Sequence, residues 1–233
     1  MSGAPRPIRT LLAETIALYR AQLRLLLALA GTVVAIVELI VGVGLGELTA
    51  RYQSNPSKVA DAITLAASTL VTVPLVSAML ARAVLDVRGG REPSMRRSAS
   101  FGLDLFAPVL GAVILYAAGV VAGIVAFVVP GVIVFVSWYF VAQAVVVDGR
   151  RGSAALSRSA ELVRGHWLHS LRTGITVNAL VAVPGFLVAS LFDTAARAAG
   201  AEALVVLGEI AYGAFALPFV SVAATLYYLD LRG

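Results

Sequence analysis

Two carboxylates stand where their surroundings make charge expensive. Glu38 lies within the run LLLALAGTVVAIVELIVGVG and Glu209 within ALVVLGEIAYGAFALPF. An acid inside an apolar helix costs about 3 kcal/mol on insertion scales, so it faces the bundle interior and is paired, hydrated or protonated. At helical rise Glu38 lies roughly 20 Å from the inner end of its run, and Glu209 roughly 9 Å from the outer end of its own. On a hydrocarbon core of about 30 Å the two share nearly one depth. If the first and last apolar helices are neighbours, the acids form a proton-holding pair or a cation site. The plainer account has each acid neutral, hydrated, or accepting hydrogen bonds from Ser, Thr or Tyr212. No lysine or arginine lies within either run, so Arg51 or Arg197 would have to reach in from the loops.

The remaining chemistry-bearing groups are sparse. His166 and His169 lie three apart, a spacing that can hold a metal on a helix, but no carboxylate or cysteine stands at a spacing to complete the site. We expect them to anchor an interface and expect no metal and no cofactor. Asn178 and Gln143 fall near the middle of two apolar runs, where amides join neighbouring helices by hydrogen bonds. Gly42, Gly44 and Gly46 follow an apolar run rather than a strand, so they fail the context of a phosphate-cradling loop. Small residues there, and Gly119 and Gly123, read instead as places where helices approach closely. With no cysteine, thiolate chemistry and disulfides are excluded.

These residues sit on six apolar runs, at 25–46, 62–83, 106–129, 132–147, 171–192 and 203–229. Each reaches or approaches the roughly 20 residues that a helix needs to cross a bilayer. The runs are continuous rather than alternating, which favours helices over strands. At 60% hydrophobic and 13% charged, with mean hydropathy +0.92, the 233 residues are too apolar for a soluble domain. The expected fold is an all-α bundle, a single membrane domain over 1–233, with no cleaved leader before its first helix.

Fifteen of the eighteen basic residues fall before the first run, around the loop between the second and third, between the fourth and the start of the fifth, or after the sixth. Arg51, Lys58 and Arg197 occupy the alternate loops. The positive-inside rule then puts both termini in the cytoplasm of a cell whose inner or plasma membrane holds the chain. The +5 charge is dispersed over short segments without aromatic interleaving, which speaks against nucleic acid. It suits anionic headgroups instead.

The fourth loop is the most informative. After the turn expected at Pro130 and Gly131 comes an apolar run, then Asp148-Gly149 and a segment with Leu156, Ala160, Val163 and Trp167 on one face and Arg158, Glu161 and Arg164 on another. Such a helix is expected on the inner membrane surface with Trp167 at headgroup depth. Gly149, Gly152 and Ser153 would supply its turn and N-cap. Met95-Arg96-Arg97-Ser98-Ala99 echoes Leu156-Ser157-Arg158-Ser159-Ala160, and residues 7–23 form a looser relative. The chain therefore reads as three parallel units, each an amphipathic helix followed by a helical hairpin.

The order Pro130-Gly131, apolar run, Asp148-Gly149, then Ala155, Leu156, Arg158, Ser159, Leu162, Gly165 and Trp167 resembles the membrane domain fused to bacterial glycerophosphoryl diester phosphodiesterases, also found as stand-alone six-span proteins. The opening Leu12, Leu18, Tyr19 and Arg20 is similar to that family's start. The resemblance implies a fold more than an activity. Those hydrolases carry their catalytic histidines and carboxylates on a separate soluble barrel, so no enzyme is expected here. The expected role is to organise or bind lipid, a hydrophobic ligand or a membrane partner complex, which includes a second copy of the chain. A small proton- or cation-coupled transporter or channel using Glu38 and Glu209 is the alternative.

Overall fold

The computed structural model describes residues 6–43, 58–201 and 203–233, with side chains outside 41–67. It is all-helical, and six of its helical segments are long and apolar enough to cross a membrane, as in a multi-pass membrane protein. In chain order the helices are α1 (Ile8–Ala21), α2 (Leu23–Val37), α3 (Lys58–Arg88), α4 (Met95–Ala126), α5 (Val128–Ser137), α6 (Val141–Asp148), α7 (Ser153–Val163), α8 (Trp167–Ala199) and α9 (Ala203–Arg232). A π-helical turn, Glu38–Val43, continues α2. The spans, numbered one to six, are Leu23–Ile40, Ser68–Arg88, Met95–Ala126, Val128–Asp148, Trp167–Ala199 and Ala203–Arg232.

The C-terminal half of α9 is the central post, buried without a break from Ser221 to Tyr228. It packs against α8, α2, α3 and α1, while α3 pairs with α4 and α4 with α5. Apolar side chains around the whole circumference are what a helix enclosed by others requires. Tyr19 of α1 packs edge-on against Phe215 and Phe219, and its hydroxyl donates to the Phe215 carbonyl at 3.0 Å. Burial pushes that phenol up to about 12.

Three expectations are corrected. First, the turn before the fourth span is made by Phe127, whose backbone is extended, and Pro130 lies in the first turn of α5. Proline is tolerated there because the first-turn N–H groups have no helical partner anyway. Gly131 is helical and buried, and its value is proximity. A Cβ on Gly123 would come within 2.8 Å of the Gly131 Cα, so the α4–α5 hairpin closes backbone to backbone.

Second, the fourth span is not one helix. It breaks at Trp138–Phe140, between α5 and α6. Third, the second unit has no separate amphipathic helix, because Met95 begins a continuous 32-residue helix. Gly102 lets that helix run straight against α3, since a Cβ there would meet the Met79 side chain at 2.3 Å. In the first and third units a break intervenes, at Gln22 and at the positive-φ Gly165. That third break also separates Trp167, the first residue of α8, from α7. Arg164 is already out of the helix at its C-terminal boundary, and Ser153 is the first helical residue after a Gly152 N-cap that has no side-chain hydrogen bond. Pro74, Pro184 and Pro218 lie inside helices that continue through them.

Candidate functional site

The arginine-bearing end is built on three aspartates, each closing an even-numbered span in a common context: Leu85-Asp86-Val87-Arg88-Gly89, Val147-Asp148-Gly149-Arg150 and Leu229-Asp230-Leu231-Arg232-Gly233. Asp86 is fully buried, with Arg82, Arg91 and Arg97 at 3.2–3.3 Å. Only the contact from Arg97 has hydrogen-bond geometry, and Oδ1 is held by charge alone. Asp148 receives Arg158 Nε at 2.6 Å, the Tyr228 hydroxyl at 2.9 Å and Arg232 at 3.2 Å. Asp230 receives Arg6 Nε at 2.8 Å, and Arg6 and Arg88 both reach Glu14, at 2.7 and 2.6 Å. The hydrogen bond that Arg158 donates to Asp148 holds its guanidinium above its ordinary pKa, against the opposing effect of burial.

The order of these contacts is cyclic. Asp86 of the first unit takes Arg97 of the second, Asp148 of the second takes Arg158 of the third, and Asp230 of the third takes Arg6 of the first. Arg97 and Arg158 occupy the same place in the sequence echo, and the serines that follow them, Ser98 and Ser159, are both fully buried. Ser159 Oγ accepts from the Phe140 N–H at 3.1 Å and donates to the Ser137 carbonyl at 2.9 Å. One hydroxyl of α7 therefore satisfies two backbone groups freed by the break in the fourth span. A broken helix away from water requires such partners.

The buried face of α7 is Ala155, Leu156, Ser159 and Val163, turned onto the bundle, with α6 its main neighbour. Arg158 is committed to Asp148, and Glu161 is exposed with Arg158 at 3.6 Å. Arg164 is exposed, and Trp167 is partly buried with Nε1 out of solvent and unpartnered.

A second polar region lies higher, between the fourth, fifth and sixth spans. Asn178 Nδ2 donates to the Tyr139 hydroxyl at 3.0 Å, so this amide does join two neighbouring helices. The Ser170 and Tyr227 hydroxyls are 3.1 Å apart, and His169 lies against the Tyr227 ring at 5.7 Å. Tyr139 separates two hollows of about 10 and 20 Å³. Thr173, 3% exposed, lines the smaller one near Tyr227, but its hydroxyl completes no hydrogen bond. Gln143 is buried in α6, among the core side chains.

Glu38 and Glu209 are also brought together. The first and last spans pack antiparallel, with Gly213 against Val34 and Gly31 against Ala214. One turn further along each helix this register sets Glu38 opposite Glu209. Glu38 is half-buried at the start of the π-helical turn, and Glu209 is exposed. Gly44, Gly46 and Arg51 lie outside the described residues.

The model of a family described as a domain of unknown function (DUF7847) matches residues 97–230. The chain belongs to this family. The DUF7847 match opens on Arg97 and closes on Asp230, so it takes in both partners of the Asp148–Arg158 clasp and one partner of each of the other two. No curated protein and no solved structure matches the chain.

Sequence reasoning missed the aspartate series and the role of Ser159. The first was readable, since Leu85-Asp86-Val87-Arg88-Gly89 and Leu229-Asp230-Leu231-Arg232-Gly233 differ at one position. The second was not, because nothing in the run Phe135-Val136-Ser137-Trp138-Tyr139-Phe140 signals a helix break.

Proposed function

We propose that this chain is a non-enzymatic, multi-pass protein of the inner or plasma membrane that binds and organises anionic lipid, with both termini and its amphipathic segments on the cytoplasmic side. One observation carries this reading. Seven arginines at the arginine-bearing end hold carboxylates, whereas Arg9, Arg20, Arg24, Arg96, Arg150, Arg151, Arg164 and Arg172 are exposed and make no ion pair among the described residues. Uncommitted arginines beside an apolar belt attract anionic headgroups by about 1 kcal/mol each. The sequence likeness to the membrane domain fused to glycerophosphoryl diester phosphodiesterases supports the same assignment, with a membrane partner or a second copy as a further associate.

The test is lipid selectivity. Purified protein in mixed vesicles should enrich phosphatidylglycerol over phosphatidylcholine in its boundary layer, and that enrichment should fall with added salt. Equal occupancy by the two lipids would overturn the reading.

The register that sets Glu38 opposite Glu209 supports the alternative, a proton- or cation-coupled transporter or channel. Flux in liposomes that disappears in Glu38→Gln or Glu209→Gln would establish it. The absence of flux under any imposed gradient would dismiss it.

A further inference from the structure

The three clasps are alike in chemistry and unlike in charge balance. Among the described residues, Asp148 and Glu161 share Arg158 and Arg232, and Asp230 and Glu14 share Arg6 and Arg88, so each group sets two cations against two acids. Asp86 stands alone against Arg82, Arg91 and Arg97, which leaves two positive charges in excess. Glu92, the next acid along the chain, is exposed and makes no ion pair among the described residues to offset them. Gathering three guanidinium groups on one carboxylate costs mutual repulsion that a second anion would relieve.

Each of the three is held in place. Arg82 lies one turn before Asp86 on α3, and its guanidinium stacks over the Phe101 ring of α4 at 5.2 Å. Its side chain is 25% exposed and its Nε is out of solvent, so this cation serves the acid. Arg91 is set by the turn that ends α3. Its N–H donates to the Asp86 carbonyl at 2.8 Å, and Gly90 takes the positive φ of 68° that brings the chain back. Arg91 Nε then reaches Asp86 Oδ1, and Nη1 of Arg97, in the first turn of α4, reaches Oδ2, both at 3.3 Å.

Arg91 and Arg97 are the two that face water, with side chains 61% and 49% exposed. Guanidinium groups fixed on opposite oxygens of one carboxylate are spaced to take two oxygens of one phosphate on their outer edges. Those edges are free among the described residues, since Arg91 makes no hydrogen bond to the acid and Arg97 spends one N–H on it. Asp86 is fully buried beneath them, so it fixes both groups without occupying the side from which an anion approaches.

We infer that Arg91 and Arg97 form a binding site for a phosphate-class oxyanion at the arginine-bearing end of the bundle. Asp86 is the buried counter-charge that holds them, and Arg82 neutralises that acid. Inorganic phosphate and the phosphate of a lipid headgroup present the same recognising chemistry. The site uses none of the unpaired arginines that carry the anionic-lipid reading, so its failure would leave that reading standing.

Isothermal titration calorimetry on the full chain, in a phosphate-free buffer with a neutral maltoside detergent, tests the site with two probes, inorganic phosphate and dihexanoyl phosphatidate. Both should bind saturably at one site per chain, and acetate should bind far more weakly. Arg91→Gln should weaken both probes about tenfold, the loss expected for one charge-assisted pair. Arg91→Lys keeps the charge and loses the planar fork, so it should fall between. Arg232→Gln, at a balanced clasp on the same end, should leave binding unchanged. Phosphatidate binding much more tightly than phosphate identifies the source as lipid, and equal binding identifies it as the free ion; either supports the site.

No saturable heat from either probe overturns the site. So does an equal loss in Arg91→Gln and Arg232→Gln, which would mean that bulk charge alone attracts the anion. Arg91 lies mainly in solvent and its loss leaves Asp86 two guanidinium groups, so the variant should unfold at the wild-type midpoint in phosphate-free buffer. If it does not, the wild-type chain still decides, because equal affinity for acetate and phosphate also overturns the site.

Discussion

Replacing Ser159 by alanine should destabilise the bundle far more than the matched change at Ser98. Both serines are fully buried and follow the arginine of a clasp, so chain position, burial and the volume removed are alike. They differ in what the hydroxyl does. Ser159 closes two hydrogen bonds to backbone groups at the break in span four, whereas the Ser98 hydroxyl has no partner. Hydrogen bonds between membrane helices contribute about 0.6–1.7 kcal/mol each. Losing two, with no water to take their place, costs about 1–3 kcal/mol, or roughly thirtyfold in the unfolding equilibrium at the midpoint of that range. Removing an unpaired buried hydroxyl relieves a desolvation cost, so Ser98→Ala should be neutral or stabilising by up to about 1 kcal/mol. Reversible unfolding in mixed detergent micelles, followed by circular dichroism, reads both. If Ser159→Ala leaves the midpoint in place, or if the two variants fall together, the hydroxyl does not hold the break.

The clasps should differ in strength with burial. Asp86→Asn, at a fully buried acid among three guanidinium groups, should cost about 3 kcal/mol, while Arg6→Gln, half-exposed, should cost under about 1 kcal/mol in the same unfolding assay. Gly123→Leu should open the α4–α5 hairpin, because even a Cβ there collides with the backbone of Gly131; a loss of at least about 2 kcal/mol is expected, and a wild-type midpoint would contradict that packing. Cysteines introduced at Arg151 and Arg197 should react with a membrane-impermeant maleimide from opposite sides of sealed vesicles. Reaction from one side would refute the proposed topology.

The sequence made the spans legible because the hydrophobic signal is long and unmixed, but the helices run on past the apolar runs into polar sequence, so the third begins at Met95 rather than 106 and the fifth ends at Ala199 rather than 192. For Glu38 and Glu209 residue count gave a common depth, but whether the first and last helices are neighbours was left open by the sequence, and the structure supplies that packing. The turn at Pro130 was misplaced because proline marks the first turn of a helix as well as a loop, and only the extended Phe127 distinguishes the two cases. The break at Trp138–Phe140 left no signal, since its stabilisation comes from Ser159, distant in sequence by about twenty residues. Trp167 was grouped with Leu156 and Val163 because the spacing fits one helix; the positive φ of Gly165 ends that helix before the spacing is used.

The cyclic order of the clasps explains why three unlike units can close into one bundle. The helices of neighbouring units share apolar faces, and apolar contact among such faces specifies little about which neighbour lies where. A buried carboxylate is specific, because an unpaired one is costly in any wrong arrangement. By placing one aspartate at the end of each unit and its arginine at the start of the next, the chain makes the correct cyclic neighbour the one that leaves no acid without a cation. The α7 helix then has two duties at that ring, since Arg158 grips Asp148 while the adjacent Ser159 mends the helix that Asp148 terminates. Exchanging the charges at Asp86 and Arg97 tests this separation of roles. The exchange should restore none of the stability lost in Asp86→Asn alone, because Arg82 and Arg91 would then face a buried cation, and an exchange at Asp148 and Arg158 should fail for the same reason while Tyr228 and Arg232 still address an acid there.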